Sequence, residues 1–360
     1  MATRRASMAD VARLAGVSAQ TVSRVSNGEP NVVDTTRETV LRAMAELGYR
    51  PNSAARALKR GAFRAIGVIT FTLATTGNVR TLEGIVASAA AQDHAVTLIP
   101  VDAPTRDAVR GAFTRAGELA VDAVIAIMET HLVGDAPAFF PPGVKVVVAD
   151  SDDAGDRHPV VDTDQRAGAR DAVEHLLGLG HATVHHVAGP EHSYAAQRRR
   201  DAWRTTLEAA ERPVPGVLHG DWSPESGYAL GLRLAEDPSC TAVFAANDQM
   251  ALGILRAMHD RGRQVPDDVS VVGFDDVPEA ASFIPPLTTI RQDFEQIGAL
   301  CVERVLGQVR GDGPATGTTL VPTELVVRES TAPPRELRAP VCQGRGILRR
   351  RHPAGCARGL

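Results

Sequence analysis

The sequence predicts an all-α helix-turn-helix head followed by an α/β body of two doubly wound parallel-sheet lobes. Three observations carry that prediction. Residues 1–60 hold ten Lys and Arg against five acids and contain short helical periods bounded by Ser and Gly. From residue 64 onward, β-rich runs alternate with amphipathic helical stretches, the pattern of parallel sheets covered by helices. Roughly 270 residues is large for one such sheet, so two similar lobes are expected.

Composition narrows the function classes. Of 360 residues, 44% are apolar and 23% charged, which is ordinary for a soluble globular chain. The net charge of −4 conceals +5 over residues 1–60, −15 over 61–330 and +6 over 331–360. A small basic module before a large acidic body suggests that the head meets a polyanion, although a solvated charged face is the bland alternative. Cys240, Cys301, Cys342 and Cys356 are far apart and form no CxxC pair, so neither a disulfide scaffold nor a zinc ribbon is expected. Residues 1–12 carry Arg4, Arg5 and Asp10 and no apolar core segment, and no apolar run approaches the ~18 residues of a membrane span. A cytoplasmic, nucleoid-associated location with no membrane contact is expected.

The head begins with Ser7-Met8-Ala9-Asp10, a capping box in which a hydroxyl and an acid satisfy free helix N–H groups. The helix that follows buries Val11, Ala12 and Ala15 and stops at Gly16. Val17 plugs the turn, and Ser18 caps a second helix through Ser26 with Val22 and Val25 inward. Ala19, Gln20, Ser23, Arg24 and Asn27 face outward, and two short helices joined through a glycine turn make a helix-turn-helix. Gln20 and Arg24 lie one turn apart on one face; Gln suits adenine and Arg suits guanine. Ser18, Thr21 and Ser23 are short hydroxyls suited to phosphate. Asp34 or Thr35 is expected to cap a third helix with Val40, Leu41, Met44 and Leu47 on one face, ended by Gly48. After Pro51, Asn52 can cap a two-turn helix whose face is small residues, including Ala55, and one leucine, Leu58. So short a helix needs a partner, and its face suits two copies meeting over a minor groove with an apolar wedge.

In the body, strands are expected at Ile66–Phe71, Val96–Val101, Val121–Met128, Val144–Ala149, Val184–Ala188, Val217–Asp221, Ala242–Ala246 and Val269–Phe274. Helices are expected at Arg166–Leu177, Ala195–Ala210, Pro224–Ala235 and Gln249–Arg261. The Asp- and Gly-rich stretch Asp150–Pro159 reads as the crossover between lobes. Ligands of open α/β sheets sit beyond the carboxyl ends of strands, where Asp150, Asn247 and Asp275-Asp276 fall. Asp248 reads as a helix cap.

Met8 to Asn27, Thr36-Arg37-Glu38 to Pro51-Asn52, and Ala57-Leu58-Lys59 resemble, without gaps, the head and hinge of the LacI/GalR family of repressors. The body resembles the sugar-binding core of the same family, a periplasmic-binding-protein-like fold. The matching strings include Leu179-Gly180-His181, Ala188-Gly189-Pro190, Gly220-Asp221-Trp222-Ser223, Ala246-Asn247-Asp248-Gln249-Met250, Val272-Gly273-Phe274-Asp275-Asp276 and Ile284 to Phe294. The resemblance implies that Ala19, Gln20 and Arg24 occupy the base-reading positions and that Leu58 wedges a central base step. Ala19 departs from a member of the family that carries tyrosine there. It also implies a cleft in which Asp150, Arg199, Asn247 and Asp275 bond sugar hydroxyls. Trp222 and Phe294 would be its walls, with Gln292 nearby. Carboxylates, amides and guanidinium suit a ring of hydroxyls, and an aromatic suits its C–H face. Core packing remains an alternative for Trp222. Arg199 is singled out of Arg198-Arg199-Arg200 because it lies four before Trp203, as in the family. Phe71 stands where a family member has a small hydroxyl residue, which would reshape one half of the pocket.

The resulting domain plan is a helix-turn-helix over 1–50, a hinge over 51–62, a two-lobed ligand and dimerisation body over 63–330, and an unstructured basic tail over 331–360. That tail lacks leucine heptads, so a homodimer is expected rather than a tetramer. His181, His185 and His186 do not make a metal site, because the last two point to opposite strand faces. No P-loop, GxSxG or HExxH is present, Gly311-Asp312-Gly313 reads as a turn, and no nucleophile is marked. The expectation is a cofactor-free, non-enzymatic repressor of operator DNA, released by a sugar, with galactosides the preferred class. The rivals are another sugar or metabolite, a ligand acting as corepressor, a sugar-binding transport protein, and a sugar enzyme using Asp150 and Asp275.

Overall fold

A computed structural model describes residues 6–50, 62–101, 105–128, 143–149 and 158–335. The head is three helices, α1 (Met8–Ala15), α2 (Ala19–Ser26) and α3 (Asp34–Glu46). Ser7 accepts the Asp10 N–H while Asp10 accepts the Ser7 N–H, so the capping box forms in full. Gly16 takes φ +67°, the left-handed value that lets the chain turn sharply into α2. Ser18 then accepts the Thr21 N–H and opens α2. Val11, Val22, Val25, Val40, Ala43 and Met44 form the small core.

Two expectations for α3 are corrected. Its cap position is Val33, with no side-chain hydrogen bond, and Asp34 sits inside the first turn. Leu41 is half exposed, because the inward stripe runs Val40, Ala43, Met44, Leu47 and Leu41 lies about 100° round the helix from Val40. The expected hinge residues Asn52, Ala55 and Leu58 lie outside the described residues.

The body contains two six-stranded sheets. In the first lobe the strands are β1 (Ala65–Thr70), β2 (Ala95–Pro100), β3 (Ala123–Ile127), β4 (Val146–Ala149), β5 (Pro159–Thr163) and β11 (Gly317–Val321), in the order β11-β5-β4-β3-β1-β2, all parallel. The second lobe has β6 (His185–Ala188), β7 (Leu218–His219), β8 (Ala242–Ala245), β9 (Ser270–Asp275), β10 (Thr288–Gln292) and β12 (Thr323–Val326). Their order is β12-β10-β9-β8-β6-β7, with β12 antiparallel at the edge. The eight expected strands all form, with ends shifted by at most two residues. Helices α4 (Thr76–Ala91), α5 (Arg106–Glu118) and α10 (Phe294–Arg310) cover the first sheet, and α6 (Gln165–Gly178), α7 (Tyr194–Ala209), α8 (Pro224–Ala235) and α9 (Asp248–Asp260) the second.

The crossover is not at Asp150–Pro159. Strands β4 and β5 on either side of it pair in one sheet, Val148 opposite Val160 and Ala149 opposite Val161. The chain instead passes between lobes three times, from β5 into α6, from β10 into α10, and from β11 to β12. The four strands that the sequence pattern did not give, β5, β10, β11 and β12, are the ones at these passages. They are four or five residues long and rich in Thr, Gly or Pro, so their pattern resembles connecting chain.

The segment expected to be an unstructured tail also needs correction at its start. Ala332 donates its N–H to Ser270 Oγ at 3.0 Å, and the buried Ser330 donates to the Val271 carbonyl at 2.6 Å. The body therefore continues to residue 335; residues 336–360 lie outside the described set. Among the described residues no helix is long and apolar enough to cross a membrane.

Candidate functional sites: a cleft between the lobes and a helical face

The carboxyl ends of the strands of both lobes face one cavity of about 310 Å³. Its two walls differ in chemistry. The first lobe presents the apolar groups Phe71, Ile127, Met128, Ala149, Val161 and Phe294 beside threonines near the start of α4 and the carboxylate of Asp162. The second lobe supplies Gln165, Arg199, Trp222, Asn247, Asp275 and Gln292. Seven of the eight sequence-selected cleft residues thus meet here; the eighth, Asp150, lies outside the described residues.

Arg199 is the hub of the polar wall. Its side chain is buried, its Nε donates to Gln165 Oε1 at 2.8 Å, and its Nη1 donates to the Ala246 carbonyl. The same Nη1 lies 3.7 Å from Asp275 Oδ1, and the guanidinium stacks 3.7 Å from the Phe274 ring centre. Gln292 donates to Asp275 Oδ1 at 2.6 Å and accepts from Gln165 at 3.4 Å. A guanidinium, a carboxylate and two amides are thereby pre-positioned, so little ordering is left for a hydroxylated ligand to supply.

The backbone that aims these groups is unusual. Asp275 has φ +115° and Asp276 φ +55°. Asp276 is clamped by Arg328 at 2.6 Å and Arg291 at 2.7 Å, which fixes the turn after β9 and with it the Asp275 carboxylate. Trp222, at φ +73°, lays its ring over Gly189; a Cβ on Gly189 would stand 2.4 Å from that ring. Gly189 is what lets the indole lie against the chain at the cleft wall.

Asn247, not Asp248, caps α9. Its Oδ1 accepts the Met250 N–H at 2.9 Å, and its Nδ2 donates to the Trp222 carbonyl and to Gln249 Oε1, each at 3.0 Å. Asp248 is fully buried behind the cleft, accepting from the Val277 N–H at 2.9 Å and the Thr289 hydroxyl at 2.6 Å. Burial first, and the Asp275 carboxylate second, push its carboxyl up to about 8.

Sequence reasoning missed Gln165, which holds Arg199, and Asp162, which lines the first-lobe wall. Gln165 reads as one more polar residue at a helix start. The single acid in Pro159-Val160-Val161-Asp162-Thr163 was the available signal, hidden because the strand itself was not recognised. Arg198, which the sequence pattern does not distinguish from its neighbour Arg200, bonds Asp162.

His181 bonds the Thr241 and Ser270 hydroxyls at 3.0 and 3.1 Å. His186 is fully buried between the Trp203 and Phe244 rings, donates from Nδ1 to the Phe244 carbonyl, and is pushed down to about 3 by burial. Among the described residues no cluster of His, Cys, Asp or Glu could hold a metal ion.

On the head, Ala19, Gln20 and Arg24 are exposed along α2, and Arg24 Nε lies 3.8 Å from Glu29. Ser18 and Thr21 bond one another at 2.9 Å at the helix start, and Asn27 donates to Ser23 at 3.4 Å. The seven expected residues run from the Ser18 cap to the Asn27 cap; Ser18 is exposed like Ala19, Gln20 and Arg24, and Thr21, Ser23 and Asn27 are half-buried.

Comparison with known proteins gives two family matches, "Bacterial regulatory proteins, lacI family" over residues 7–52 and "Periplasmic binding protein-like domain" over 173–331. The lactose operon repressor of Escherichia coli K12 is 35% identical over 334 residues, covering 90% of this chain and 90% of that protein. The HTH-type transcriptional regulator MalR of Streptomyces coelicolor is 34% identical over 345 residues, covering 90% and 96%. A crystal structure of the lac repressor dimer bound to operator and the anti-inducer ONPF superposes with a TM-score of 0.82 at 34% identity, covering 91% of this chain and all of that one.

Proposed function

The chain belongs to the bacterial lacI family of regulatory proteins, and from that premise we propose a dimeric repressor whose hold on operator DNA is loosened by a sugar, with galactosides as the ligand class. Two heads read the half-sites of a pseudo-palindromic operator, with Gln20 and Arg24 at base edges and Ser18, Thr21, Ser23 and Asn27 along the phosphates. The paired segments that carry Asn52, Ala55 and Leu58 fold over the central minor groove. Asp150, Arg199, Asn247 and Asp275 meet the sugar's hydroxyls, with Gln292 beside them and Phe71, Trp222 and Phe294 as walls.

The observation that carries this reading is the buried Arg199–Asp275–Gln292 arrangement at the strand ends, beneath Trp222. It offers paired donors and acceptors and an aromatic face, which is what a pyranose presents in complement. The reading of a galactoside draws on similarity to the lactose operon repressor. Within this scheme the sugar favours the lobe geometry of the free protein over that of the DNA-bound one, with a coupling of about 1–3 kcal/mol, or 5- to 150-fold in operator affinity.

Operator binding measured with and without a panel of galactosides and other sugars tests the proposal. Asp275→Ala is expected to bind operator normally yet fail to respond. Release of Asp275→Ala at the same sugar concentration as the parent would remove Asp275 from the ligand site. A second reading, another sugar acting in the same cleft, is favoured by Phe71, whose ring takes space on the first-lobe wall; a response to a non-galactoside alone would select it. Tighter operator binding on addition of any sugar would make that sugar a corepressor.

A further inference from the structure

Asp162 is the penultimate residue of β5 in the first lobe, just before the chain crosses into the second. Arg198 sits on α7 in the second lobe, and its Nη1 reaches across the cleft to Asp162 Oδ2 at 2.6 Å. The two side chains are 4% and 18% exposed, so this is a contact shielded from water and weakly screened by salt. Both partners are aimed. Asp162 Oδ1 accepts the Thr163 N–H at 2.7 Å, and the Arg198 guanidinium lies 4.3 Å over the Tyr194 ring centre. Among the described residues, the other ion pairs of the body, such as those of Asp276 with Arg291 and Arg328, stay within one lobe. At the mouth of the cleft a second bond crosses, from Gln249 to the Thr76 hydroxyl, and Gln249 is itself held by Asn247.

We propose that Asp162 and Arg198 form a latch that holds the two lobes together across the cleft. The carboxylate also lines the cavity, so an occupant that reaches it competes with Arg198 for the same oxygens. The pair is therefore a point at which ligand chemistry and lobe geometry meet. Both residues act by positioning the lobes. Removing one partner leaves the other charge buried without its counterpart, which favours separation of the walls. Either substitution alone already breaks the ion pair, so the second has none left to break and the two should not add.

Hydrogen exchange read by mass spectrometry on the full chain, without DNA or ligand, tests the latch. Asp162→Asn and Arg198→Gln are each expected to raise exchange at least tenfold around the passages 162–168 and 292–297. Val243 and Val271, in the middle of the second sheet, should keep their protection. The double variant should match the singles within threefold. Unchanged exchange in either single variant, effects that multiply in the double, or loosening that spreads to Val243 and Val271 would each overturn the proposal. No sugar enters the measurement, so failure here leaves the reading of the ligand untouched.

Discussion

Asp275, at φ +115°, occupies a backbone region that costs an L-residue on the order of 1–3 kcal/mol, and its neighbours hold it there. Gln292 and Arg199 grip the carboxylate while Arg291 and Arg328 fix the next residue, so strain and ion pairing jointly set where one carboxylate points. The same close fit makes Gly189 sensitive. Gly189→Ala should displace the Trp222 ring, shift the intrinsic fluorescence of a chain that has only two tryptophans, and weaken sugar binding tenfold or more. Unaltered fluorescence and affinity would show that the ring is not seated by that glycine. Asp248 gives a pH prediction. Its carboxyl is raised to about 8 in the folded chain against an ordinary 3.8, so between those values the folded state holds the extra proton. That stabilising contribution is complete below about 4 and is lost as pH climbs through 8. Asp248→Asn should therefore flatten the decline of Tm between pH 5 and 8; an unchanged slope would assign the decline to another group.

At the scale of elements, helix ends and helix crossings do most of the positioning. Ser18 opens α2 by accepting the Thr21 N–H, a cap whose loss costs about 1 kcal/mol. Ser18→Ala should weaken binding to every operator variant alike, whereas Arg24→Ala should lose about 1–3 kcal/mol at one base pair and relax the preference there. Parallel losses across a set of operator variants for both substitutions would deny Arg24 a base-reading role. In the first lobe α4 and α10 meet backbone to backbone, since a Cβ on Gly298 would lie 2.3 Å from the Gly84 carbonyl carbon. Gly298→Ala should cost about 1–3 kcal/mol through overpacking, readable as a lower urea midpoint. A midpoint equal to the parent's would mean that the helices can part without penalty. Because α10 begins at Phe294 on the cleft wall, that loss would also loosen the ligand site.

At the scale of the whole molecule, three passages join two lobes around one cavity, and a ligand can act on DNA only through the difference it makes to lobe geometry. Linkage then demands reciprocity. Whatever factor a sugar takes from operator affinity, saturating operator must take from sugar affinity. Calorimetric titration of the sugar with and without operator checks this, and unequal factors would mean that the two ligands do not report on a single equilibrium. The opposed chemistry of the cleft walls also belongs to this scale. Each wall comes from a different sheet, and their apposition sets the Arg199–Asp275–Gln292 group of one against the apolar groups Phe71, Ile127 and Phe294 of the other.

The sequence by itself determined most of the head, since caps, the turn glycine and the 3–4 spacing of Val11, Ala12 and Ala15 and of Val22 and Val25 act over one or two helical turns. It also determined the alternation of strand and helix, and Asn247 and Asp275 as polar groups at strand ends that stand out against apolar runs. Phe71, Arg199, Trp222, Gln292 and Phe294 came from the family resemblance, and the described structure brings these seven together. The tertiary structure decided the rest. Strands β5, β10, β11 and β12 form because neighbouring strands satisfy their backbone groups, an energy that no local pattern of Thr and Gly announces. Gln165 and Arg198 became site residues through partners 34 and 36 positions away in the chain, Arg199 and Asp162. Such pairings are fixed by where the lobes meet, and a linear pattern carries no record of distance across a cleft.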